Sequence, residues 1–83
     1  TALITLDRAQ SVTDQAALEA ADAASGRIPG YPCNRAERLA EKNSFQIENC
    51  EVQGLFVRVT LQVTVVGIST HTRAKAGPQN ELE

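Results

Sequence analysis

Between Leu55 and Val65 every odd position is apolar, Leu55, Val57, Val59, Leu61, Val63 and Val65, with Arg58, Thr60, Gln62 and Thr64 between them. Side chains alternate sides along a β-strand, so this period of two puts six aliphatic groups on one face and polar groups on the other. Such a strand requires a sheet with one covered face and one wet face. The cover must come from a chain of only 83 residues, enough for a single domain that buries about 60% of its unfolded surface.

The best candidate for the cover is residues 2 to 24, which contain neither Pro nor Gly and hold eight of the twelve alanines. Alanine loses no rotamer freedom in a helix, so this stretch reads as one long helix, about 33 Å from end to end. Leu3, Leu6, Ala9, Ala16, Ala20 and Ala23 recur at three- and four-residue steps with Thr13 completing the row, while Asp7, Arg8, Asp14, Gln15, Glu19 and Asp22 fall mostly elsewhere. The stripe is large at its start and small at its end. Small side chains allow close approach, so the alanine half is expected to pack on the sheet. The first turns are expected to project, leaving Leu3, Ile4 and Leu6 either for contact with a partner or to close the edge of the core.

Ser25-Gly26 stops that helix, and Pro29, Gly30 and Pro32 make a loop. A second, shorter helix is expected from Asn34, which can cap it, with Ala36, Leu39 and Ala40 on its apolar side. After Asn43-Ser44, the alternation of Phe45, Ile47 and Asn49 with Gln46, Glu48 and Cys50 predicts a first strand. Gln53-Gly54 is expected to turn into the central strand. Gly67 offers a bend into a third strand, Ile68, Thr70, Thr72 and Ala74 opposed to Ser69, His71, Arg73 and Lys75, and Gly77-Pro78 ends it. Short turns make the three strands antiparallel. The expected fold is therefore α+β in two layers, a long N-terminal Ala-rich helix and a short second helix against a three-stranded antiparallel sheet. Residues 1–78 form the domain and 79–83 a flexible tail, of which Leu82-Glu83 reads as a cloning remnant.

Composition sets what such a domain needs and what it excludes. The apolar stock is 20 Leu, Ile, Val and Phe, 12 Ala, two Cys and Tyr31, with no Trp and no Met. An interior this thin calls for extra support. Cys33 and Cys50 read as a structural disulfide worth about 3 kcal/mol, with two free buried thiols as the alternative; a bridge would place the domain outside the reducing cytosol. Together with His71 the cysteines fall short of four metal ligands, so no metal or other cofactor is expected. His71 reads as a surface residue, and no nucleophile elbow, phosphate loop or dinucleotide fingerprint accompanies it. Glu48 with Glu51, or Asp14 with Glu19, form carboxylate pairs without a sign of the burial that tunes an acid. Eight basic and ten acidic residues are interleaved along the chain, which argues against a nucleic-acid footprint. No apolar run reaches the roughly 18 to 20 residues that cross a bilayer. The chain starts at Thr1 without Met and reads as part of something longer.

The run from Arg8-Ala9-Gln10 through Asp14-Gln15-Ala16-Ala17-Leu18-Glu19-Ala20-Ala21-Asp22-Ala23-Ala24 resembles the helix of the TadE/TadG-like proteins of Flp (tight-adherence) pilus assembly. Cys33, Ala36, Ala40, Asn43, Cys50, Val52, Gly54, Val57 and Val59, with the closing Ala74-Lys75-Ala76-Gly77-Pro78, resemble the small actinobacterial branch of that family, the secretion-neighbourhood TadE-like proteins. The likeness covers residues 8 to 78, and Thr13, Glu19 and Asp22 stand where the family more often has alanine. It implies a pilin- or pseudopilin-like domain of the cell envelope, anchored in the cytoplasmic membrane by an upstream apolar helix. It also implies partners among pilus or secretion-apparatus subunits, with no catalysis, no small-molecule substrate and no nucleic acid. On that reading Leu3, Ile4 and Leu6 make the subunit contact. An extracytoplasmic binding module using Thr60, Gln62, Thr64 and His71 is the second reading, an enzyme the third, and a cytosolic domain with free thiols the last.

Overall fold

A computed structural model describes residues 2–77, with side chains from residue 6 onward. Pro78 and the tail 79–83, including Leu82-Glu83, lie outside the described residues. The chain forms α1 (Ala2–Ala24), α2 (Pro32–Lys42), β1 (Gln46–Gln53), β2 (Phe56–Val65) and β3 (Ile68–Ala76). The three strands make one antiparallel sheet in the order β1-β2-β3, with both helices on one side of it. This is the expected α+β architecture.

The core is a seam between the aliphatic face of β2 and the small face of α1. Val57, Val59, Leu61 and Val63 are buried from the sheet; Ala9, Val12, Thr13, Ala16, Ala17, Ala20, Ala21 and Ala23 are buried from the helix. Each β2 side chain so covered contributes about 1.5–3 kcal/mol, and the alanines contribute mainly by letting the two backbones come close. Ala36 and Ala40 bring α2 against the same seam. Two clusters result. One gathers Ala16, Ala17, Ala20, Ala21 and Ala36 with Val57, Val59 and Ala76; the other gathers Ala9, Val12 and Ala40 with Leu61 and Val63. The pairing shows that α1 runs antiparallel to β2, its N-terminal end beside Val63 and Val65.

The two helices end in the same way. Gly26 donates to the Ala23 carbonyl at 3.1 Å and Arg27 to that of Asp22 at 2.9 Å; Ser44 donates to Glu41 at 3.0 Å and Phe45 to Ala40 at 2.9 Å. Both are the double hydrogen bond of a left-handed helix stop, for which Gly26 supplies φ +84° and Ser44 φ +67°. Arg8 closes the second junction, donating to the Asn43 carbonyl at 3.2 Å and lying 5.5 Å from the Phe45 ring centre.

Three local expectations are corrected. Helix α2 begins at Pro32, with Tyr31 as its cap and no side-chain capping bond. Proline suits the first helical position, where its missing N–H has no acceptor to lose, so Asn34 is already inside the helix. The β1–β2 turn is Gly54-Leu55 rather than Gln53-Gly54, since Gln53 pairs with Phe56. Leu55 thus leaves the buried stripe and is 46% exposed. At the start of α1, Leu6 is half-buried and takes the second of its two expected places, at the edge of the core against the second cluster.

The third correction matters most. Ile47 pairs with Leu61, Asn49 with Thr60 and Cys50 with Val59, so Glu48 is an extra residue in β1. A bulge shifts the alternation by one beyond it. Ile47 and Cys50 therefore face the core together, while Asn49 turns outward, opposite to an unbroken alternation. Deleting Glu48 should remove the bulge and keep both residues inward. Mass spectrometry after alkylation without reductant is expected to find no modified cysteine in that variant; two modified cysteines would contradict the register.

Within the seam, one polar contact joins the layers. The Thr13 hydroxyl donates to the Ala9 carbonyl at 2.6 Å and lies 2.5 Å from the Thr72 hydroxyl. Thr13 has one proton to give, so Thr72 is the donor between them. Thr13→Val is expected to cost about 1–2 kcal/mol by leaving that donor buried and unpaired. Thr13→Val with Thr72→Val should recover most of the loss, as a double-mutant cycle in urea unfolding would measure.

Candidate functional site

The wet face of the sheet carries most of the polar chemistry away from the helices. On β2 it presents Arg58, Thr60, Gln62 and Thr64, which pair in register with Lys75, Arg73, His71 and Ser69 on β3. From β1 the bulge adds Asn49 and Glu51 to Glu48, which alternation already places there. A shallow depression of about 480 Å³ opens among Glu48, Asn49, Glu51, Arg58, Thr60, His71 and Arg73. Thr60 and His71, two of the four residues expected on this face, meet in it; Gln62 pairs with His71 and Thr64 lies farther toward the β2–β3 turn.

Two acid–base contacts cross this face, and Arg73 and Lys75 stand beside them outside those pairs. Arg58 Nη1 lies 3.4 Å from Glu51 Oε1, and Glu48 contacts His71 across β2. Asn49 Nδ2 donates to the other Glu51 oxygen at 3.4 Å. All four partners are 42% to 51% exposed at the side chain, where an ion pair contributes about 0–1 kcal/mol and a carboxylate is well solvated. The carboxylates of Glu48 and Glu51 thus lack the dry setting of a general acid. Among the described residues no group of three or more His, Cys, Asp and Glu could hold a metal ion. The face can exchange hydrogen bonds with a polar partner.

Cys33, in the first turn of α2, and Cys50, on β1, form a disulfide with their Cα atoms 5.8 Å apart. It is half-buried at the edge of the first cluster. Beside it Arg35 reaches from α2 to Glu19 on α1 at 2.9 Å. The covalent bridge thus ties α2 to β1 while the ion pair ties α2 to α1.

The residues expected to make subunit contacts divide. Leu6 is half-buried and packs on Ala9, Val12, Ala40, Leu61 and Val63, closing the domain's own core. Leu3 and Ile4 lie outside the residues whose side chains are described. Other large apolar groups are exposed instead: Leu18, Tyr31, Val52, Leu55, Val66 and Ile68. The cross-sheet contact of Glu48 with His71 was also unforeseen. Alternation alone sets Glu48 on the wet face, but its reach across β2 to His71 depends on the strand register, which alternation does not specify. Among the described residues no helix is long and apolar enough to cross a membrane.

Comparison of the chain with protein-family models, with curated proteins and with solved structures finds no match.

Proposed function

We propose that this domain is a non-enzymatic accessory subunit of a Flp/Tad-type pilus or of an associated secretion system, similar to a minor pilin or pseudopilin. It acts at the cell envelope, outside the cytoplasmic membrane, held by an apolar helix that continues upstream of α1. The observation that carries the reading is the arrangement of α1: one long helix whose small-residue face lies along a three-stranded antiparallel sheet. A disulfide in the same small domain supports an oxidising compartment. The well-solvated Arg58–Glu51 and Glu48–His71 contacts of the wet face support a role in packing rather than in chemistry.

In this reading Leu3 and Ile4 contact other subunits near the membrane, and Leu6 anchors that turn to the domain. Sequencing the coding DNA immediately upstream of Thr1 is expected to show about 20 apolar codons running into α1. The full-length product should sediment with membranes and be released by detergent. A start codon or a hydrophilic segment upstream would overturn the proposal.

The residues separate in stability as well. Leu3→Asp with Ile4→Asp is expected to weaken co-purification with other subunits while shifting unfolding stability by no more than about 0.5 kcal/mol. Leu6→Asp should cost about 2 kcal/mol because it sets a carboxylate against the rim of the core. Loss of cooperative unfolding in the Leu3 and Ile4 variant would remove their assignment as contact residues.

One observation favours the extracytoplasmic binding module as the second reading, namely that Thr60 and His71 line the same depression. Saturable binding of a glycan, abolished by Thr60→Ala with His71→Ala, would move it to first place.

A further inference from the structure

The turn between β2 and β3 works against the preferences of its own backbone. Its two central residues, Val66 and Gly67, both lie at positive φ, 52° and 78°. Two-residue turns of this hand favour Asn-Gly or Asp-Gly, because a branched Cβ crowds the backbone in the left-handed region. Val66 is β-branched and takes the first position. The fold offers it nothing in return, for Val66 is 86% exposed, more than any other large apolar side chain among the described residues, and Ile68 is 70% exposed. A side chain that strains its turn and buries nothing within the domain has its use outside it.

Place and chemistry say what it meets. Leu6, Ala9 and Val12 share a cluster with Leu61, Val63 and Val65, and Val65 pairs with Ile68 across the turn. The tip therefore lies at the N-terminal end of α1. Residues 59–72 contain no Asp, Glu, Lys or Arg, and the groups flanking the tip are the hydroxyls of Thr64, Ser69 and Thr70. Protein contacts concentrate their energy in Trp, Tyr and Arg, none of which is present in this stretch. Aliphatic groups ringed by hydroxyls and free of charge suit the boundary between acyl chains and headgroups. The same end carries both signs, Arg8 and Lys42 with Asp7 and Glu41, so apolar contact and not charge has to supply the attraction.

We infer that Val66 and Ile68 enter the headgroup boundary of a lipid bilayer, a second foothold beside the N-terminal end of α1. The choice of lipid rests on the proposed envelope reading, in which α1 continues upstream into the membrane. Two aliphatic side chains bind a surface weakly by themselves; a tether at the start of α1 holds them at high local concentration and makes the contact persistent.

The chain has no Trp, so a single introduced indole reports on its own position. Val66→Trp and, separately, Ile68→Trp would be made in the 83-residue chain, tethered through an N-terminal hexahistidine tag to phosphatidylcholine vesicles containing nickel-chelating lipid. Both variants are expected to shift emission to the blue on tethering and to lose most of it to bromine-labelled acyl chains, with little dependence on salt. Leu55→Trp, in the hairpin at the opposite end, is expected to keep its emission in water. Emission from both tip variants that ignores the brominated lipid would overturn the inference. So would the same blue shift without vesicles in step with dimer formation, which would assign the tip to a second copy of the chain. Because the tag imposes the tether, failure of the tip to insert leaves the upstream-helix reading untouched, and a soluble full-length product sinks that reading alone.

Discussion

The distance between α1 and β2 governs the rest of this structure. A chain with three aromatic residues and no Trp or Met cannot fill a wide gap between its layers, so it closes the gap instead. Alanines at 9, 16, 17, 20, 21 and 23 bring the helix backbone down on valines 57, 59 and 63 and on Leu61. Each alanine contributes little apolar area, yet each admits favourable contacts for the larger group opposite. The seam also explains why a hydroxyl can sit in its middle. Thr13 has nearly the volume of valine, and its polar end finds the helix carbonyl behind it and Thr72 in front of it.

From that closeness follow the secondary fastenings. The second helix adds only Ala36 and Ala40 to the interior as fully buried groups, too little area to hold itself in place. It is secured at both ends and on its flank: by the Cys33–Cys50 bridge at its start, by Arg35 with Glu19 alongside, and by Arg8 at the junction that follows it. The bulge at Glu48 makes the first of these possible, because it turns Cys50 to the core side. One inserted residue thus serves both faces of the sheet, setting the bridge within and turning Glu51 toward Arg58 without.

The legibility of this fold in its sequence tracks how many apolar residues mark each face. Residues 55–65 carry an apolar group at every second position, and the strand, its burial from Val57 to Val63 and its wet face were readable from that pattern, which overran only at Leu55, a turn residue. The alanine-rich helix and its stop at Gly26 were readable for a similar reason, a long uninterrupted signal and a sharp ending. Strand β1 was readable only as a strand. In Gln46-Ile47-Glu48-Asn49 a single apolar residue marks the inner face, so alternation has no second point with which to reveal an inserted residue. The start of α2 was misplaced because proline suggested a loop, when at the first helical turn it is a favourable residue. The wet face was visible by parity on β2 and β3, but the pairing of Glu51 with Arg58 followed from the bulge and was hidden with it. The signal at Val66 was present, a Val-Gly pair where Asn-Gly is the usual turn, but its meaning needed the backbone angle and the exposure.

The disulfide has a mechanical consequence. It closes the chain between residues 33 and 50, so a pull on the N-terminal end of α1 passes outside the covalent loop and is borne by noncovalent contacts. Because α1 lies antiparallel to β2, a load along the helix axis acts in shear, and the alanine contacts resist it together instead of peeling one after another. Thr13 and Thr72 add a polar catch partway along the seam. The domain is thereby built to hold against lengthwise tension and to yield most readily when its helix is lifted sideways off the sheet.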